Sequence, residues 1–467
     1  MRWTETFAAS GLLGGAGVLA AVGVGLAAWA GQGAGQGAIQ GAGGSTGSTS
    51  PTIEELQEQV RVLSQRVDEL TASKVSRADV DAIIREVLAD AQNRSRLFST
   101  DGKLTAGYED GFFIRSEDGT FSFKPTVIGQ FRYVASYAEG EKVDEDDSFD
   151  SGFEFRRMRL KFDGTVFSKD LSYTVQWENA RSSTTLLDAF AAYRFAGVWK
   201  VRGGQFTPVY AVEEYFSPHH VTAVDKSLMH QLLGNRIDRV QGVELQYGGV
   251  KDEAGNEVPV RVTVAAHDGA NSINTDFRDG PAGNFGFVGR AEWLAAGSWK
   301  DYKDWSPRTL GDKDLLVLGA SADYSDFPGF GQTLMYADVM YKSVHKFALY
   351  GGVEGMLTEE RNSSGDQDRF DTGLVGQFSF LPNRAWEPFV RYSYLRLDDQ
   401  TDEDTYNEIA VGVNRYLGPD GAWFHRAKVV TDIVYLPDGA PSGTTSLGYQ
   451  QNDAAQLVFR VQFTLQI

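Results

Sequence analysis

From about residue 105 to the carboxyl terminus, apolar and polar positions alternate in long runs. The last run is the plainest. Ala455, Leu457, Phe459, Val461, Phe463, Leu465 and Ile467 interleave with Gln456, Val458, Arg460, Gln462, Thr464 and Gln466. A period of two puts the two sets on opposite faces of a strand. In the same way Met158, Leu160 and Phe162 alternate with Arg157, Arg159, Lys161 and Asp163, and Ala427, Val429, Thr431 and Ile433 with Arg426, Lys428, Val430 and Asp432. Such segments fall near 121–137, 153–167, 170–179, 186–195, 198–206, 238–248, 258–267 and 285–296. They continue near 315–323, 331–341, 345–357, 369–380, 386–397, 405–417, 423–435 and 454–467, sixteen in all. A small hairpin is expected over 112–123, turning on Asp118-Gly119.

Two-faced strands suit a soluble sandwich, with its apolar face inside, or a transmembrane barrel, with its apolar face on lipid. Three features favour the barrel. The segments run to about ten to fourteen residues, against five or six in ordinary sheets. Aromatic residues gather near segment ends (Tyr133 and Tyr137, Trp293 and Trp299, Tyr392 and Tyr394, Trp423 and Tyr435) as in interfacial girdles. Very short connections, such as 168–170 and 196–197, alternate with long acidic or glycine-rich ones. The predicted fold class is therefore all-β: a transmembrane antiparallel β-barrel of about 16 strands over 105–467, after a short helical coiled-coil segment. A barrel of that size encloses an aqueous channel.

The first hundred residues read differently. Residues 11–30 are an apolar run ending in Ala28-Trp29-Ala30, the pattern of a cleaved signal peptide over 1–30, with an uncleaved anchor as the alternative. Residues 31–50, rich in Gly, Ala, Gln, Ser and Thr, form a flexible linker. Within 51–98, Ile53, Leu56, Val60, Leu63, Val67 and Leu70 trace a heptad seam, and an amphipathic helix follows from Ser76. Exported barrels keep such a segment on the periplasmic side.

Composition narrows the function. Lys plus Arg number 44 against 63 Asp plus Glu, a net charge of −19, which opposes a nucleic-acid partner. Mean hydropathy of −0.30 excludes a bundle of membrane helices. With no Cys there is neither a disulfide framework nor a thiolate site. The six His are scattered, with no HExxH spacing, and no GxSxG or Walker loop appears. No catalytic residue, metal site or cofactor is expected.

Alternation points a set of cations into the lumen: Arg132, Arg157, Arg159, Lys161, Arg194, Lys200, Arg202, Arg261, Arg290, Arg391, Arg426, Lys428 and Arg460. Cations on low-dielectric walls concentrate anions, and guanidinium binds phosphate oxygens bidentately. The competing reading pairs them with lumen carboxylates such as Asp163, Asp188, Glu244 and Asp432. Arg157, Arg159 and Lys161 share one face and are the hardest to neutralise locally. The connection 207–238, long and aromatic, is expected to fold into the lumen as a constriction, or else to lie outside at a subunit contact. Arg236 and Arg239 sit where it returns. The acidic tracts 139–150 and 398–408 read as solvated loops, which divalent cations can bridge to lipopolysaccharide phosphates.

FEFRRMRLKFDG at 153–164, the DAFAAYRF…VRGGQFTPVY run at 188–210 and NRIDRVQGVEL at 235–245 resemble the phosphate-selective porin O/P family, in order and spacing, over roughly 110–467. The resemblance implies a sixteen-stranded outer-membrane barrel, usually trimeric, with its third loop narrowing the pore and inward Arg and Lys forming an anion path. The chain departs from outer-membrane barrels at its end, Ile467, where an aromatic is usual, although Phe463 is near. The expected function is a passive channel for small hydrophilic solutes, leaning to anions such as phosphate. Partners would be outer-membrane lipid and lipopolysaccharide, the barrel-assembly machinery and further copies in a homotrimer. Alternatives are a tether joining outer membrane and cell wall through the coiled coil, and an outer-membrane hydrolase.

Overall fold

The computed structural model describes Glu58, Arg61 and residues 104–109, 111–139, 149–180, 183–276, 284–361, 368–398 and 403–467. The chain divides into a unit ending at Val87 and one beginning at Leu88. In the first, Glu58 and Arg61 are helical and ion-paired at 3.0 Å. The expected signal peptide, linker, remaining heptad positions and second helix lie outside the described residues, as do 140–148 and 399–402 of the acidic tracts.

In the second unit, β1 (Leu104–Tyr108) and β2 (Phe112–Ser116) form a small hairpin, and β2 turns into β3 (Ser122–Ala138). The Asp118 carboxylate holds that turn by accepting from Ser116 Oγ at 2.6 Å and the Thr120 amide at 3.0 Å, with Gly119 at φ 72°. The alternation did not reveal β1. The wall continues through β4 (Phe149–Val166), β5 (Ser168–Ala180), β6 (Ser183–Phe195), β7 (Trp199–Phe206), β8 (Val240–Gly248), β9 (Val260–His267) and β10 (Phe285–Ala296). It goes on through β11 (Leu315–Phe327), β12 (Phe330–Ser343), β13 (Phe347–Glu360) and β14 (Arg369–Phe380). It ends with β15 (Trp386–Asp398), β16 (Glu403–Tyr416), β17 (Ala427–Leu436) and β18 (Gln456–Gln466). Each strand pairs antiparallel with the next, and β18 pairs with β3 from Gln456↔Ala138 to Gln466↔Ile128. The result is a closed barrel of sixteen strands, with no free edge.

The faces are those the period predicts. On β18, Leu457, Phe459, Phe463 and Leu465 are exposed on the outside, while Val458, Arg460, Gln462 and Thr464 are buried within. Three details differ from the sequence reading. First, Gln130 pairs with Arg157 but Phe131 with Phe155, so Arg156 is the extra residue of a β-bulge. A bulge breaks strict alternation, and Arg156 joins Arg157 on the inner side. Second, β17 starts at Ala427 rather than near 423. Phe424 takes φ 43°, and Arg426 therefore sits in a 3-10 turn before the strand, not on it. Third, Trp299 is no girdle residue. It is buried and donates its indole N–H to the Val258 carbonyl at 2.7 Å.

Antiparallel order places the connections after odd-numbered strands at one end of the barrel, here the far end. Those after even-numbered strands lie at the near end, beside Ile467. Length does not follow end as expected: 328–329 is short at the far end and 297–314 long at the near end. Several of the described connections bury side chains inside the wall. Residues 207–239 and 437–455 enter from the far end, and 297–314 from the near end, carrying the buried Trp299, Tyr302 and Trp305. Phe216 of the first meets Tyr302 and Trp305 of the last, ring centroids 5.2 and 6.3 Å apart.

Candidate functional site

Segment 207–239 is held in the lumen by its apolar residues and its backbone together. Tyr210, Val212, Phe216, Leu228, Met229, Leu233 and Ile237 are buried in one cluster with inward wall residues such as Leu334, Met340 and Val375. Full burial of such a side chain is worth about 1.5–3 kcal/mol. Two short helices, α1 (Val212–Tyr215) and α2 (Leu228–Leu232), give local order. Ser227 caps α2 by accepting from the His230 amide at 3.2 Å, and donates to Glu213 at 2.8 Å. The non-helical stretch between them is stapled through its carbonyls. Val221 accepts from Lys428 at 2.6 Å, Thr222 from Asn414 at 2.7 Å and Asp225 from Arg391 at 2.7 Å. Inward polar side chains of β15 to β18 thereby satisfy backbone groups that burial would otherwise leave unpaired.

At the centre is Asp225, whose side chain is 1% exposed. Its carboxylate accepts from Arg132 at 2.7 Å, Arg156 at 3.0 Å and Arg157 at 2.9 Å. Burial alone would raise its pKa, but the guanidiniums of Arg156, Arg157 and Arg132 outweigh that and hold it well below the ordinary carboxylate range. Arg132 also contacts Glu154 at 2.5 Å. Three cations thus meet two carboxylates, and the node is net positive.

Apart from Arg426 and Lys428, the latter bound to the Val221 carbonyl, the other sequence-predicted candidates divide into two groups. Most are paired. Arg159 meets Glu178 at 2.5 Å, Lys161 meets Asp163 at 3.0 Å, and Arg202 meets Glu244 at 2.6 Å. Arg239 bonds Asp238 and faces Asp188 at 3.7 Å; Arg261 bonds Glu292, and Arg290 meets Asp338 at 2.8 Å. Arg391 meets Glu408 at 2.8 Å and Arg460 meets Asp432 at 2.7 Å. Each of the carboxylates Asp163, Asp188, Glu244 and Asp432 therefore has a cation beside it, the arrangement weighed against an open anion path. Arg194, Lys200 and Arg236 make up the second group, forming no ion pair with a described residue; Arg194 and Arg236 are exposed. Arg426 is half-buried in its turn.

The wall that keeps solvent contact runs along β4 and β5. There Lys161 and Asp163 retain 33% and 34% of side-chain exposure, and Glu154 27%. From β8 to β18 the inner wall is largely covered by the inserted segments.

A second cluster lies where three connections meet. His219 and His220 of the long segment lie with ring centroids 4.1 Å apart and planes tilted at 60°, and His220 lies 4.9 Å from His425 of the turn before β17. His220 Nδ1 is 3.1 Å from the Lys303 carbonyl of the near-end segment. Burial first, then neighbouring imidazoles and Lys428, keep His219 and His425 well below the usual histidine pKa. Burial lowers His220 as well, against the pull of Asp304. Scattered positions in the sequence had given no sign of this grouping.

A closed barrel with an apolar exterior, a charged interior and a segment folded across its lumen has the architecture of a porin. The model of the phosphate-selective porin O and P family matches residues 128–423, and the chain belongs to that family. It is thus an outer-membrane channel protein, and family and fold point away from an enzyme. Among solved structures, the anion-selective porin from Comamonas acidovorans aligns with TM-score 0.53 at 10% identity, covering 74% of this chain and 100% of that one. The outer membrane channel DcaP of Acinetobacter baumannii aligns with TM-score 0.48 at 9% identity, covering 77% and 100%. Salmonella typhi OmpF, in complex with daunomycin, aligns with TM-score 0.46 at 15% identity, covering 78% and 100%. The first likeness is one of fold. No curated protein matches the chain.

Proposed function

We propose that the protein is a passive, water-filled pore for small hydrophilic solutes that favours anions, phosphate among them. The observation that carries the reading is the node at Asp225, where Arg132, Arg156 and Arg157 surround one loop carboxylate and leave positive charge at the constriction. Arg194 and Lys200, beside the near-end turn between β6 and β7, and Arg236 form no ion pair with a described residue and add positive charge elsewhere in the lumen. In a narrow lumen with low-dielectric walls, an excess of fixed positive charge raises local anion concentration. The paired cations shape the wall instead. In this reading the far end faces outward, towards lipopolysaccharide. The near end and the amino-terminal segment face the periplasm, where that segment can reach the cell wall. The protein is inserted by the barrel-assembly machinery and works as a homotrimer.

The test is a reversal-potential measurement across a planar bilayer in a potassium chloride gradient. A potential of the sign set by chloride supports the proposal. The absence of steady conductance rejects the channel, and a potential set by potassium rejects the anion preference.

A further inference from the structure

At the far end, a cavity of about 830 Å³ opens between β3, β4 and segment 437–455. That volume falls within the range of small-molecule sites. Its lining includes the carboxylates Glu139, Asp150, Glu154 and Asp453, and no Lys, Arg or His among the described residues. Glu154, at its inner side, is engaged by Arg132. Glu139, Asp150 and Asp453 make no side-chain hydrogen bond or ion pair with a described residue. Ser136 also lines the cavity. It is 2% exposed, and its Oγ has no hydrogen-bond partner. A buried hydroxyl without a partner is costly unless something arrives to meet it. Ser136 is registered directly opposite Asp150 across the β3–β4 pair, so acceptor and charge stand side by side.

We propose that this cavity is a capture site for amine-bearing organic cations, which donate from an ammonium group to Asp150 and Ser136 and place further positive charge near Glu139 or Asp453. The inference goes beyond the anion-favouring constriction, which shares only Glu154 with this cavity. Carboxylates such as Glu139, Asp150 and Asp453, with no ion pair to a described residue, attract a cation. The hydroxyl accepts an N–H directly, and the spread of the acids over a roomy cavity matches a molecule with separated charges. A bare metal ion needs ligands converging at 2.0–2.6 Å, and no group of three or more candidate ligands converges among the described residues.

Isothermal titration of the full-length protein in detergent at low ionic strength, with spermidine as probe, tests the proposal without any current being measured. A non-conducting pore therefore leaves this test intact. Saturable binding is expected, weakened at least tenfold by the double substitution Asp150→Asn with Asp453→Asn, and severalfold by Ser136→Ala. Magnesium at the same concentration should displace little of the spermidine. Each of three results overturns the proposal: no saturable binding, unchanged affinity in both variants, or full displacement by equimolar magnesium, which would mark a general counter-ion effect. Should the double variant fail to show the heat-resistant migration of a folded barrel, Ser136→Ala and the magnesium competition decide alone.

Discussion

Asp225 concentrates the energetics of the constriction in one side chain. Removing one partner from a buried charge network costs about 3–5 kcal/mol, because the remaining charges stay desolvated and unmatched. Asp225→Asn is thus expected to lower the thermal unfolding midpoint and widen the fluctuations of single-channel current. The three released guanidiniums should shift the reversal potential further towards the anion value; an unchanged potential would take Asp225 off the conducting path. The triple change of Arg157, Arg159 and Lys161 to Gln separates two roles. Arg157 and Arg159 serve Asp225 and Glu178 at 2.9 and 2.5 Å, so the variant should lose stability as well as anion preference, whereas Lys161→Gln alone should leave the barrel as heat-resistant as before. Alternation made Arg157 legible as inward, because period two survives on each side of a bulge. It concealed Arg156, since nothing in the local pattern marks where the extra residue falls. The acid at the centre of the node was also illegible, because Asp225 meets Arg132, Arg156 and Arg157 only where a distant loop comes to rest.

At the level of elements, strands announced themselves and the packing of their connections did not. All sixteen wall strands overlap the alternating segments, since a wall between lipid and a polar lumen writes its two environments into every other residue. The inward path of 207–239 could be read from its length and aromatic content. The near-end segment 297–314 carried a similar signal in Trp299, Tyr302 and Trp305, but its two tryptophans resemble girdle residues when only the strands are considered. The His219, His220 and His425 junction depends on this segment, and its pH response has a definite sign. Unfolded imidazoles titrate near about 6.5, and these three are lowered when folded. The unfolded form therefore binds more protons below that pH. The stabilisation is fully present above it and is lost as pH falls towards the folded values. Lys428 and the neighbouring imidazoles oppose the added charge, while Asp304 favours it. Protection factors of the amides in 216–222 and 303–306, taken relative to intrinsic exchange at each pH, should fall about tenfold or more between pH 7.5 and 5, a factor equivalent to about 1.4 kcal/mol. His220→Gln with His425→Gln should flatten that dependence. Equal protection factors at both pH values would show that the junction is not proton-sensitive.

Across the whole molecule, charge is sorted along the barrel axis: carboxylates at the far-end cavity, an excess of guanidinium at the constriction, and paired ions along the covered wall. This sorting belongs to one barrel and needs no neighbour to complete it. Assembly is a separate question, which the outer surface is expected to decide. The outer faces of β3 and β4 carry a dense aromatic group in which Phe131 stacks on Phe153 at 5.7 Å and tilts against Phe155 at 5.0 Å. Phe153 is 71% and Phe155 54% exposed. Such a patch can be covered by lipid or by another barrel, whereas three heptads of helix, about 21 residues, are marginal on their own. Ile and Val at the first core position with Leu at the second would by themselves favour pairs. If the walls hold the assembly, they raise the local concentration of the helices and draw them into the same stoichiometry. The expected mass in native detergent is that of a trimer, kept when 51–72 are deleted and lost when Phe153 and Phe155 become Asn. Monomers after the deletion would show that the heptads hold the assembly together, and a dimeric mass for the intact protein would defeat the trimer.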